Sequence, residues 1–156
     1  MRRQVKTEGE DLDDVDRQIL ELLRYDARLS AREIGRRIGV SAGTVGTRVR
    51  RLEHSGVIRG YRAVVEPAAV GRPLGFMVGL QIAQGTPLDG ILEELVAMPA
   101  VDEVMVVTGR WDLMVIGRVA EPGALNALLT KGLWQSPSFR HSETMVVVDD
   151  RHAAHS

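Results

Sequence analysis

Not one cysteine occurs among the 156 residues. Disulfides and thiolate metal sites are excluded, and a reducing cytoplasm is the expected compartment. No apolar run approaches the roughly 20 residues of a membrane-spanning helix. Residues 1–10 carry no apolar core of the signal-peptide kind. These absences point to a soluble, intracellular protein. Histidine is scarce: His54, His141, His152 and His155 are the four, and no two share an expected element at a metal-ligand spacing. No nucleophile has an adjacent base in view. An enzyme is therefore not the expectation, and neither a metal nor a cofactor is expected.

What is present is an uneven distribution of charge in a chain whose net is −1. Residues 28–62 hold nine arginines against two acidic residues, whereas 1–27 and 63–156 are both acidic overall. A basic block inside an acidic chain is the electrostatic footprint of a face that meets a polyanion. A merely solvated basic helix face is the plainer alternative.

Apolar periodicity in the first sixty residues predicts three helices. Leu12, Val15, Ile19, Leu22 and Leu23 form one buried stripe ending near Asp26, with Asp13 or Asp14 as N-cap. Ser30 to Glu33 is a capping box, with Leu29 placed to staple onto Ile34, and Gly39 stops that helix as a left-handed residue. Ser41 caps a third helix that runs through Val45, Val49 and Leu52 to Gly56. Two short helices meeting across Gly39, Val40 and Ser41 have the connection a helix-turn-helix requires.

With Val45, Val49 and Leu52 inward, Gly43, Thr47, Arg50 and Arg51 face outward, flanked by Thr44 and Arg48. Thr hydroxyls and methyls read base edges, and Arg grips guanine or phosphate. Ser41 and the amides after it form a positive helix end suited to a phosphate oxygen. Gly43 and Gly46 each cost a helix roughly 1 kcal/mol against alanine, which close approach to DNA or to the preceding helix would offset. Residues 57–62 alternate like a short strand and add Arg59 and Arg62, as a wing would. The expected DNA-contacting set is Ser41, Gly43, Thr44, Thr47, Arg48, Arg50, Arg51 and Arg59, and the partner is double-stranded DNA.

Beyond a hinge punctuated by Pro67, Gly71 and Pro73, the period changes. Phe76 to Ile82 alternates as a strand, Leu88 to Val96 has helical spacing stopped by Pro99, Val101–Thr108 and Trp111–Val119 are strands about a Gly109-Arg110 turn, a helix runs from Pro122 to Trp134, and Thr144–Val148 is a last strand. The order β-α-β-β-α-β defines an α+β, ferredoxin-like unit. Its sheet has one face under two helices and one face wanting a partner, so self-association is expected.

Residues 12–20 (LDDVDRQIL), Asp26-Ala27-Arg28, Val40-Ser41, residues 48–53 (RVRRLE), Gly56-Val57-Ile58 with Tyr61, and residues 107–112 (VTGRWD) together resemble the Lrp/AsnC family of leucine-responsive and asparagine regulators, from Leu12 to Asp149. The resemblance implies a winged helix-turn-helix over 12–62, a hinge strand over 63–73, and an ACT-like ferredoxin domain over 74–150. It implies sheet-mediated dimers gathering into tetramers, octamers or hexadecamers, and an amino acid or related metabolite bound between dimers. On that pattern the effector-binding residues are Gly109, Arg110, Trp111 and Asp112, with Ser142 and Thr144 before the final strand. Turn amides and Arg110 would hold a carboxylate and Asp112 an ammonium. Arg110 and Trp111 replace smaller or acidic residues and a tyrosine frequent in the family, and Phe139 replaces valine. This departure suggests an aromatic or acidic ligand, or a filled site. Two rivals stand beside this reading: an architectural DNA-compacting protein that reads shape, and a sirohaem decarboxylase, which resembles the family in architecture.

Overall fold

The computed structural model describes residues 11–150. Residues 1–10, where the signal-peptide question falls, and His152 and His155 lie outside them. The chain divides into two compact units, one running to Val64 and one beginning at Val65.

The first unit is three helices: α1 Asp14–Tyr25, α2 Ala31–Ile38 and α3 Ala42–His54. Each begins where a short polar side chain satisfies otherwise unpaired amides. Asp13 caps α1 in a box with Asp16, Ser30 caps α2 in a box with Glu33, and Ser41 accepts the Thr44 N–H at 3.0 Å. Gly39 ends α2 at φ 76°. Gly35 lets the turn close: a Cβ there would stand 2.5 Å from the Val40 carbonyl oxygen. Ile19, Ile34, Val45 and Leu52 are fully buried together, each contributing roughly 1.5–3 kcal/mol.

The strand expected over 57–62 does not form, nor does any strand between Ser55 and Pro73. The Ile58 N–H is given to the Leu52 carbonyl, and the Tyr61 hydroxyl reaches Glu53 at 2.8 Å, so the segment folds back on the end of α3. A lone extended segment has no ladder partner within this unit.

The second unit follows the expected order: β1 Leu74–Ile82, α4 Leu88–Val96, β2 Val101–Val106, β3 Leu113–Val119, α5 Pro122–Leu128 and β4 Phe139–Val146. The sheet is antiparallel throughout, in the order β2-β3-β1-β4. Phe76, Val78, Leu80, Leu113 and Val115 point to one face and pack with Ile91, Leu95, Leu125, Leu129 and Leu133 from the helices. Helix α5 continues as a π-helical turn over Leu129–Leu133, with the Trp134 N–H reaching back five residues to Leu129 at 2.8 Å. Strand β4 starts five residues earlier than its apolar run suggested. It is an edge strand paired only with β1, so polar residues 140–144 occupy it with Arg140, His141 and Glu143 exposed and Ser142 and Thr144 only half-buried.

The unit is pegged at its start by Arg72. Its Nη2 donates to the carbonyls of Ala100 and Arg118 at 3.0 Å, its Nε donates to Arg118 at 3.1 Å, and its Nη1 meets Asp102 at 3.1 Å.

Candidate DNA-reading face and effector cleft

Helix α3 presents the expected residues in two groups. Gly43, Thr44, Thr47 and Arg50 are exposed, as are Ser41 and Arg59. Arg50 Nη2 lies 3.4 Å from Thr47 Oγ1, and Ser41 Oγ lies 2.8 Å from Thr44 Oγ1. A Cβ at Gly43 or Gly46 would meet nothing nearer than 3.8 Å. Packing against the preceding helix therefore does not account for these two glycines.

Arg48 and Arg51 are engaged differently. Arg48 Nη1 is 2.6 Å from Asp13 and 2.9 Å from Asp16, and Arg51 Nη2 also pairs with Asp16. Asp16 is fully buried. Burial pushes its carboxyl up, but the hydrogen bonds from Arg48 and Arg51 outweigh this and hold it below the ordinary carboxylate range. Asp13 is lowered by the Asp16 amide first and by Arg48 second. In the sequence these pairs show only as matching Asp-x-x-Asp and Arg-x-x-Arg spacings, and nothing there says that they meet.

In the second unit the ends of β1, β2 and β3 border an open cleft of about 360 Å³ lined by Ile82, Ala83, Leu88, Val106, Val107 and Asp112. This is the lower end of the range for small-molecule sites. Gly109 lies in the connection between β2 and β3 at φ 114°, a conformation that favours glycine. Asp112 is fixed three ways. Its N–H donates to Leu80 at 3.0 Å, its carbonyl accepts from Val107 at 3.0 Å, and its Oδ2 accepts the Ile82 N–H at 2.8 Å.

Of the six expected effector residues, Asp112 alone lines this cleft. Arg110 and Trp111 lie on the other face of the sheet. Trp111 covers Gly79, stacks on His141 at 5.5 Å, and has the Arg110 guanidinium 4.7 Å from its ring, while Arg110 also reaches Glu143 at 3.5 Å. Ser142 and Thr144 pair with Leu80 and Val78 and so face the helices, where Ser142 Oγ accepts the Trp134 Nε1–H at 3.1 Å. Within one protomer the six residues are not one site. Beyond Arg110, His141 and Glu143, the face that carries Trp111 is rich in methionine: Met77 is in register with Met145 and Ile116, and Met105 with Met114. Among the described residues no group of three or more His, Asp or Glu is placed to hold a metal, and no helix is long and apolar enough to cross a membrane.

A capped three-helix unit with a basic third helix, followed by a ferredoxin-like unit holding a small cleft, defines a DNA-binding regulator of transcription with a ligand-binding domain. Residues 12–53 match the AsnC-type helix-turn-helix domain and residues 76–152 the Lrp/AsnC ligand binding domain. The chain belongs to the Lrp/AsnC family. It is 33% identical to the leucine-responsive regulatory protein of Salmonella typhimurium over 149 residues, covering 93% of this chain and 90% of that one. It is 34% identical to an uncharacterized HTH-type transcriptional regulator of Pyrococcus abyssi, covering 87% and 85%. The structure of Escherichia coli AsnC superposes with a TM-score of 0.78 at 27% identity, covering 88% of this chain and 93% of that one. The L-Met complex of a Neisseria meningitidis transcriptional regulator shares the fold, with a TM-score of 0.84 at 22% identity over 90% and 93%.

Proposed function

We propose that this protein is a sequence-specific regulator whose assembly or operator binding responds to an amino acid or related metabolite. Two copies joined through the methionine-rich sheet face would present two α3 helices to successive major grooves about 34 Å apart, on a pseudo-palindromic site. The observation that carries the DNA half is the exposed row Gly43, Thr47 and Arg50 on a helix whose other side is buried. Ser41 and Thr44 border that row at the start of α3, and Arg59, in the segment after the helix, is likewise exposed.

The effector half rests on the cleft with Asp112 in its wall. A carboxylate amid aliphatic side chains is an acceptor for an ammonium group, and the Gly109 turn would supply amides for a carboxylate only where a second copy brings it to the same ligand. Arg110, Trp111, Ser142 and Thr144 belong to the same site only where a second copy completes it. The L-Met complex of the Neisseria protein supports an amino acid as the ligand class. The ligand would act by its difference in affinity between two assemblies. A thermal-melt screen against the twenty amino acids tests this, since ligand at about 100 times its Kd stabilises by roughly 2.7 kcal/mol. No shift with any of them would overturn amino-acid sensing.

A further inference from the structure

Asp16 is the one charged residue fully buried among the described residues, and it lies on α1, outside the helix that reads DNA. A buried carboxylate persists only when paired, and its partners are Arg48 and Arg51 of α3, one helical turn apart. Asp13 completes the grip, with its Oδ2 accepting from Arg48 at 2.6 Å and its N–H donating to Asp16 Oδ2 at 3.2 Å. The N-terminal capping box of α1 is thus also a two-pronged clamp on the rear of α3.

The apolar contacts of Val45 and Leu52 are non-directional and tolerate some roll of α3 about its axis. Two guanidinium groups held by one carboxylate do not, because either pair breaks when the helix turns. We infer that Asp16 is a positioning residue for DNA recognition: through Arg48 and Arg51 it sets the rotation of α3, and it withholds both arginines from DNA phosphates. This rests on the reading of α3 as the DNA-reading helix. Sequence reading then falls to Thr47 and Arg50, and Arg48 and Arg51 leave the list of phosphate clamps.

The test uses the full chain and two DNA probes, a random-sequence duplex and a duplex enriched from a random pool by the wild-type protein. Affinities are measured from low to moderate salt for wild type, Arg48→Gln, Arg51→Gln and Asp16→Asn, each checked for folding by circular dichroism. Each phosphate contact adds about 0.9 to the slope of log affinity against log salt. The expected result is a slope unchanged in both arginine variants. In Asp16→Asn the slope steepens by about 0.9 for each arginine released, with an at least tenfold fall in preference for the enriched duplex. A slope reduced by about 0.9 in Arg48→Gln or Arg51→Gln would overturn the inference, as would an Asp16→Asn protein with unchanged slope and preference. Should Asp16→Asn not fold, the two arginine variants decide the matter, because loss of either pair to Asp16 should itself lower the preference for the enriched duplex at an unchanged slope, and an unchanged preference in both would overturn the inference. If wild type enriches no duplex, sequence-specific binding itself fails, and the inference with it. That outcome is recognised from wild type alone.

Discussion

The indole of Trp111 lies flat on Gly79: a Cβ added to that glycine would be 2.6 Å from the ring. Gly79→Ala must therefore lift the indole off β1 and with it the stack on His141. Such overpacking typically costs about 1–3 kcal/mol. Denaturant unfolding should show that loss, and near-ultraviolet circular dichroism should show a changed tryptophan signal. An unaltered spectrum with unaltered stability would refute the placement of Trp111.

The glycines of the helix-turn-helix separate into two kinds. Gly35→Ala drives a Cβ to within 2.5 Å of the Val40 carbonyl and should destabilise the turn. Gly46→Ala meets only the flexible end of Arg50 at 3.9 Å, so it should raise stability by up to roughly 1 kcal/mol through helix propensity. If the glycine exists for close approach to DNA, the same variant loses operator affinity. Melting curves beside binding isotherms would separate the effects, and unchanged affinity would remove Gly46 from the interface.

Acid should weaken the first unit through its capping carboxylates. Asp13, Asp16 and Glu33 are all held below their ordinary values, Glu33 chiefly by the Ser30 hydroxyl. A depressed native pKa gives stability that is complete above the unfolded value of about 3.9 to 4.3 and is lost as pH falls through the native one. Urea midpoints should stay level above roughly pH 5.5 and decline below about pH 4. Asp16→Asn should make that decline shallower, and an equally steep decline in the variant would exclude Asp16 as a cause.

Asp112→Asn tests the effector cleft without dismantling it. The amide oxygen of asparagine can still accept the Ile82 N–H, so the melting temperature of the unliganded protein should move little. What is lost is the charge that would pair with an ammonium group. Any amino-acid-induced thermal shift should disappear while DNA affinity is retained, and a variant that responds like wild type would move the ligand elsewhere.

Tyr61 donates to Glu53 and is pushed above the ordinary tyrosine value, by burial first and by Glu53 second. Its contribution is present below the unfolded pKa of about 10 and lost as pH rises through the native value. Tyr61→Phe should remove that alkaline dependence and loosen residues 57–62, read as faster amide exchange at Ile58. Unchanged exchange would mean that the Ile58 to Leu52 bond alone holds the segment.

Local rules carried much of this structure into view from sequence. Ser30, Gly39 and Ser41 marked helix ends because capping depends on residues within three or four positions. The alternation of Phe76, Val78 and Leu80 marked the buried side of β1 for the same local reason. What stayed hidden depends on long-range partners. The start of β4 is set by its register on β1, the missing wing by the return of Tyr61 to Glu53, and the task of Asp16 by arginines more than thirty positions away. Adjacent positions in the β2–β3 connection go to opposite faces, so a single protomer does not gather the expected effector residues, which no local rule in the sequence could show. Asp112 turns to the cleft, while Arg110 and Trp111 cross to the methionine-rich side.

The peg at Arg72 has a consequence for how the protein can drift. Two of the acceptors it grips are main-chain carbonyls, those of Ala100 and Arg118, with Asp102 an addition at the rim. Since every amino acid carries that carbonyl, substitutions at 100 and 118 leave the socket intact unless they bend the backbone. The anchor is vulnerable at a single codon, that of the arginine itself, while the surface around it remains open to variation.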